Sequence, residues 1–254
     1  MTTYKHSGTL GDLIYSLSVV KKMGAGEFKV ALHNIENCVS QYGYRPDEVD
    51  VAHKGRFTEQ DFKWLKPLLE SQEYITQATT WQQGDAEPEV DLDRFRGVLF
   101  RGFEGNYVEA YHRTFNLPFT VTDYDTPWLS IDNPVVIRPM VVSRTFRYRD
   151  PAADATWKDM AVTGNLSELG VFVGNEAEYK DFMQVTGVHL PWQPVADFLE
   201  LARIVAGAEL VMTNQNFVYS LAMGLGKQSI LETIKIKPLI NNECFFPRQN
   251  CQYF

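Results

Sequence analysis

The sequence predicts an α/β protein with parallel sheets, divided into two Rossmann-like halves, and three observations predict it. Strand-like runs alternate with helix-like runs nearly throughout the chain. A Pro-punctuated stretch, SIDNPVVIRP between Ser130 and Pro139, interrupts the series. The charge balance changes there: residues 1–134 carry 13 Lys+Arg against 20 Asp+Glu, and residues 135–254 carry 11 against 12. A faint internal echo agrees with two similar halves, because Tyr15–Leu17 and Tyr219–Leu221 both read Tyr-Ser-Leu on a helix after a polar loop. The expected domains are residues 1–134 and 135–254, facing one another with loops from both lining a cleft.

In the first half, KHSGTLGDLIYSLSVVKKMG from Lys5 to Gly24 is a Gly-flanked polar loop running straight into an apolar helical pattern, with Asp12 where the helix begins. Gly8 and Gly11 are expected to let the backbone turn tightly. FKVALH from Phe28 reads as a strand directly after the Gly24/Gly26 break. TEQDFKWL offers Thr58 as N-cap with an acid three residues on, then Phe62 and Leu65 at helical spacing. Pro67 is expected to break that helix or start another turn. The acidic stretch GDAEPEVDLD reads as a solvated loop leading into a strand.

In the second half, PMVVS reads as the first strand and ELGVFVG, from Glu168 to Gly174, as a short buried one. NEAEYKDFMQV has a helical pattern that groups Tyr179, Phe182 and Met183. DFLELARIVAGAELVMT gives a helix capped by Asp197 with Glu200 at the third position, a stop near Gly207 and a strand from Glu209 to Thr213. NQNFVYSLAMGLGKQSILE repeats the theme of polar loop, helix, Gly stop and strand.

Composition narrows the class. The chain has 254 residues, 44% of them apolar, which suits a globular core of one large or two compact domains. No apolar run approaches the roughly 18 residues of a membrane helix, and the N-terminus lacks a secretory pattern, so a cytoplasmic protein without membrane insertion is expected. Cys38, Cys244 and Cys251 form no C-x-x-C pair and read as free thiols. His6, His33, His53, His112 and His189 lack ligand spacing, so no metal site is expected. With a net charge of -8, a polyanion would need a local basic patch, and SRTFRYRD, with Arg144, Arg147 and Arg149, is the best one.

The candidate sites each admit two readings. HSGTLGD fits neither G-x-x-x-x-G-K-[ST] nor G-x-G-x-x-G. Asp12 is then either a first-turn acid favoured by the helix dipole, worth about 0.3 to 1 kcal/mol, or a catalytic carboxylate at a cleft. Asn214, Gln215 and Asn216 could hold a diphosphate or sugar hydroxyls beside a helix N-terminus, or simply cap that helix. Glu232 could accept from a ribose or be a strand-end acid. Arg144 and Arg147 suit phosphate binding, the alternative being a solvated basic turn. Trp157 reads as helix packing rather than a base-stacking platform.

HSGTLGDLIYSLSVVKKM resembles the opening of the heptosyltransferase-like glycosyltransferases, in which a small-residue loop, Gly-Asp and an apolar helix follow the first strand. DFLELARIVAGAELVMTNQNFVYSLAMGLGKQSILE resembles the same family's carboxyl-terminal signature. The resemblance implies the GT-B fold of two facing Rossmann-like domains, Asp12 as general base within the cleft loop Ser7, Gly8, Thr9 and Gly11, and a basic donor-phosphate contact at Arg144 and Arg147. The family's Asn-Asp-Ser-Gly type loop reads Asn214, Gln215, Asn216 and Phe217 here, so its usual Asp, Ser and Gly are replaced, and Ser220 stands at its usual His. The implied activity is therefore transfer from a nucleotide sugar in general, without cofactor or metal.

The acceptor is open among a glycan, a small molecule and a hydroxymethylated base in DNA. DNA would require Arg94, Arg96 and Arg101 to gather into a patch. A non-catalytic binder of the same fold and a nucleotide-sugar epimerase are the alternatives.

Overall fold

The computed structural model describes residues 1–32, 57–82, 84–99, 103–233 and 244–254. His33, Cys38, His53 and Arg101 lie outside them. The chain forms two compact units, one of Met1–Asp123 with Trp128–Ser130 and Asp197–Leu199, the other of Tyr124–Pro127, Ile131–Ala196 and Glu200–Phe254.

The first unit holds β1 (Thr2–His6), α1 (Leu10–Met23), β2 (Gly26–Ala31), α2 (Glu59–Glu70), β3 (Ile75–Trp81), β4 (Val90–Asp91), the single turn α3 (Arg96–Leu99) and α4 (Tyr107–Thr114). Its four strands are all parallel, in the order β3-β2-β1-β4. Leu13, Ile14, Leu17, Val19 and Val20 of α1 are buried. A positive φ of 110° at Gly24 then ends the helix. The Thr58–Asp61 capping box starts α2 as its sequence requires. Pro67 does not break α2, which continues to Glu70. A proline in the last turn forfeits one backbone bond, and the buried Leu65, Leu68 and Leu69 hold the helix across it.

The second unit is built on β5 (Met140–Ser143), α5 (Asp154–Thr163), the turn α6 (Leu166–Leu169), β6 (Gly170–Phe172), α7 (Glu176–Thr186), α8 (Phe198–Gly207), β7 (Leu210–Asn214), α9 (Phe217–Gly224), β8 (Gln228–Glu232) and β9 (Cys251–Tyr253). Its five strands are parallel, in the order β6-β5-β7-β8-β9. The sixth strand is shorter than ELGVFVG suggests, because Glu168 is taken into α6 and the chain pairs only from Gly170. Val142, Trp157, Ala161, Phe172, Phe182, Leu190 and Met212 form the core.

Each sheet therefore has one place where chain progression reverses, between β1 and β4 in the first and between β5 and β7 in the second. In open parallel sheets a ligand crevice forms there, beyond the carboxyl ends of the strands. Among the described residues no helix is long and apolar enough to cross a membrane.

Candidate functional site

The predicted residues fall at these two reversal points, in two clusters. In the first unit, Ser7, Gly8 and Thr9 link the end of β1 to α1, with Gly11 and Asp12 in the first turn of that helix. Gly8 is required by space: a Cβ there would sit 2.1 Å from Arg96 Nη2 and 2.6 Å from His6 Cε1. The chain does bend at Gly8, but without left-handed backbone: neither Gly8 nor Gly11 is among the positive-φ glycines, and Gly11 is helical.

The loop is fixed from below by Asp93, a fully buried acid that follows β4. Its carboxylate accepts from the Ser7 N–H at 3.2 Å, from Ser7 Oγ at 2.7 Å and from Arg96 Nη1. Lys5 lies 3.8 Å from it and pairs with Asp91 at 2.9 Å. Burial opposes ionisation of Asp93, but the Arg96 charge, with those of its neighbours and the Ser7 bonds, holds the carboxyl well below its usual range.

His6 completes the frame. Its Nδ1 accepts from the Gly8 N–H at 2.9 Å, so in the neutral ring the proton lies on Nε2 and is donated to Tyr111 Oη at 2.7 Å. Tyr111 in turn donates to the Asp12 carbonyl at 3.1 Å. Burial pushes the imidazole down to about 4, which keeps it neutral.

Asp12 Oδ2 accepts from the Thr9 N–H at 3.4 Å and from Arg96 Nη2 at 3.3 Å. Among the described residues, neither a hydrogen bond nor an ion pair engages Oδ1. Arg96 is itself buried, so it cannot join Arg94 in a patch for nucleic-acid phosphates. The patch that a DNA acceptor would require therefore lacks Arg96.

In the second unit, Arg144 and Glu232 are each other's partners. Arg144 Nε and Nη2 donate to the two Glu232 oxygens at 2.7 and 2.9 Å, and Nη1 donates to Asp154 at 2.7 Å. Glu232 also accepts from the Trp157 indole at 2.7 Å and from the Asp150 N–H at 2.8 Å. Four donors fill a carboxylate's capacity, which leaves nothing for a ribose. Both residues are buried, at 2% and 0% exposure, so the structure corrects their reading as ligand contacts. Trp157 is fully buried packing, as its sequence context indicates. Arg149 extends the network to Asp154 and Asp181.

Asn214, at the end of β7, is spent on the loop that follows β5. Its Oδ1 accepts from the Thr145 N–H at 3.0 Å, which fixes the orientation of the amide. Nδ2 then donates to the carbonyls of Thr145, Arg147 and Tyr148 at 2.9, 3.1 and 3.3 Å. Asn216 caps α9 by accepting from the Tyr219 N–H and donates to Ser143 Oγ and Asn214. Gln215 between them is buried, and so is Ser220, whose hydroxyl bonds back to Phe217. Arg147 is the exception. It is exposed, with its guanidinium 4.5 Å above the Tyr148 ring. Asp93, Arg96, His6, Tyr111 and Asp154 thus carry parts of both clusters that the sequence did not assign.

At the level of sequence, no protein-family profile and no curated protein matches the chain. Solved structures do. The chain is similar to a glycosyl transferase family 9 protein of Veillonella parvula, with a TM-score of 0.54 at 12% identity, covering 100% of this chain and 85% of the other. It is also similar to the Escherichia coli heptosyltransferase WaaC solved with ADP, at 0.51 and 13% over 100% and 92% of the two chains. A third likeness, to the E. coli ADP-heptose heptosyltransferase II, stands at 0.51 and 9% over 100% and 90%. At these identities the likeness establishes the fold: the chain has the α/β architecture of parallel sheets found in these GT-B glycosyltransferases, the fold its sequence resemblance implied.

Proposed function

We propose that this chain is a glycosyltransferase that moves a sugar from a nucleotide-sugar donor to an acceptor hydroxyl, with Asp12 as general base. The observation that carries the reading is the state of Asp12. One carboxylate oxygen is held by Thr9 and Arg96 while the other is unengaged among the described residues, on a loop that Asp93 and His6 lock from below. Such a carboxylate is oriented without being neutralised by a bidentate partner, as proton abstraction from a hydroxyl requires.

In the reaction, the acceptor O–H gives its proton to Asp12 Oδ1 as its oxygen bonds the anomeric carbon. The bond from that carbon to the diphosphate oxygen breaks, and its electron pair leaves with the nucleoside diphosphate. The second unit meets that charge with Arg147 and with the N-terminal N–H groups of α9, so phosphate neutralisation is assigned to these groups rather than to a metal. Asn214, Asn216 and the Arg144–Glu232 pair set the shape of the loop that carries Arg147. We take the acceptor to be a glycan or a small molecule; the burial of Arg96 takes one arginine from the patch that a DNA acceptor would need.

Release of free nucleoside diphosphate from a panel of nucleotide sugars, with and without candidate acceptors, tests the reading. Acceptor-dependent release from at least one donor is expected. Binding without release would make the chain a non-catalytic nucleotide-sugar binder instead.

A further inference from the structure

Phe146 is a large apolar side chain left 55% exposed on a loop with almost no freedom. On one side Thr145 is gripped by Asn214 through its N–H, and on the other the Arg147 and Tyr148 carbonyls are held by the same amide. The Phe146 N–H itself donates to the Glu178 carboxylate at the start of α7. Farther along, Asp150 N–H is bound to the buried Glu232. Tyr148 is kept in the left-handed region at φ 59°, a conformation that a tyrosine adopts only when its surroundings enforce it.

The chain thus spends five side-chain-to-backbone bonds on presenting Phe146 to solvent beside an exposed arginine, at the reversal point between β5 and β7. An aromatic face and a guanidinium side by side on a rigid loop match the two chemistries of a nucleotide, a flat ring and a phosphate.

We propose that Phe146 is the stacking surface for the nucleobase of the donor, with Arg147 meeting the diphosphate of the same molecule. This rests on the nucleotide-sugar reading above and adds the residue that recognises the base. Because any base has a π face, Phe146 provides affinity for nucleotides as a class, leaving the choice among bases to edge contacts.

Calorimetric titration of ADP, UDP and inorganic pyrophosphate into the wild-type chain and the variants Phe146→Ala, Phe146→Trp and Arg147→Ala tests it. Phe146→Ala is expected to weaken both nucleoside diphosphates by about 5- to 100-fold, a stacking loss, while leaving pyrophosphate affinity unchanged. Phe146→Trp should retain nucleoside diphosphate affinity, and Arg147→Ala should weaken all three probes. Equal losses for pyrophosphate and nucleotides in Phe146→Ala, or no loss at all, would overturn the proposal while the donor reading stands. If the wild-type chain binds none of the probes, the donor reading itself fails.

Discussion

Arg96 holds two acids at once: its Nη1 binds Asp93, and its Nη2 lies 3.3 Å from Asp12 Oδ2. Asp93 has no access to water and Asp12 does, so one guanidinium ties a structural carboxylate to the one assigned to chemistry. Replacing Arg96 by Met leaves Asp93 buried with, among the described residues, only Lys5 as a cationic partner. The expected loss is about 3 to 5 kcal/mol, as for other buried pairs broken on one side. Urea unfolding reads it directly, and a loss below about 1 kcal/mol would mean that Asp93 is not ionised in the folded chain.

Gly8→Ala probes the same contact from the backbone. The added carbon would lie 2.1 Å from Arg96 Nη2, so the guanidinium must leave Asp12 or the loop must move. Destabilisation of about 1 to 3 kcal/mol is expected, with a clear fall in turnover. Wild-type stability and activity in this variant would show that the loop relaxes freely.

Acid stability should fall in two separate windows. The imidazole of His6 drops from 6.5 unfolded to about 4 folded, so between these values the unfolded chain binds more protons. Stability from this group is full above 6.5 and is lost as pH falls toward 4, by an amount of order 3 kcal/mol. Asp93 is shifted the other way relative to its charge: its contribution is present above the unfolded value of 3.8 and is lost only as pH falls below it. Thermal unfolding against pH should therefore begin to decline near 6.5, and His6→Asn should flatten the upper part of the decline. An unchanged slope in that variant would assign the upper window to another group.

Asn214→Asp keeps the side chain's size but removes the donor that three carbonyls share. A carboxylate facing Thr145, Arg147 and Tyr148 carbonyls repels them, so the loop should lose its shape. The expected signature is a donor KM raised about tenfold or more, with kcat changed far less, since the base lies in the other unit. An unchanged KM would show that the loop keeps its shape without Asn214.

What the sequence conveyed follows from what is local. Thr58 with Asp61, and Gly24 after the apolar face of α1, mark their helices because capping and periodicity depend on residues a few positions apart. The alternation of strand and helix likewise carried the parallel sheets. Arg144 and Glu232 each stand out as charges in the sequence, but they pair across 88 positions, and no spacing rule reveals that they satisfy one another. Asp93 ends an acidic stretch that reads as solvated and Arg96 lies just beyond it, and only the adjacency of β4 to β1 brings them beside Ser7. Asn214 stands out in the sequence as part of a polar loop before a helix, but its hydrogen-bond partners lie 66 to 69 positions earlier, in the loop after β5.

The most direct test of the account is Asp12→Asn, followed by single-turnover sugar transfer, thermal unfolding and donor titration on the same preparation. The amide can still accept from the Thr9 N–H but cannot take a proton from the acceptor. Transfer slowed by about 10² to 10⁴, with folding and donor affinity retained, is the predicted result. Near-wild-type transfer in the Asn variant would contradict the account and leave Asp12 as a helix-capping acid alone.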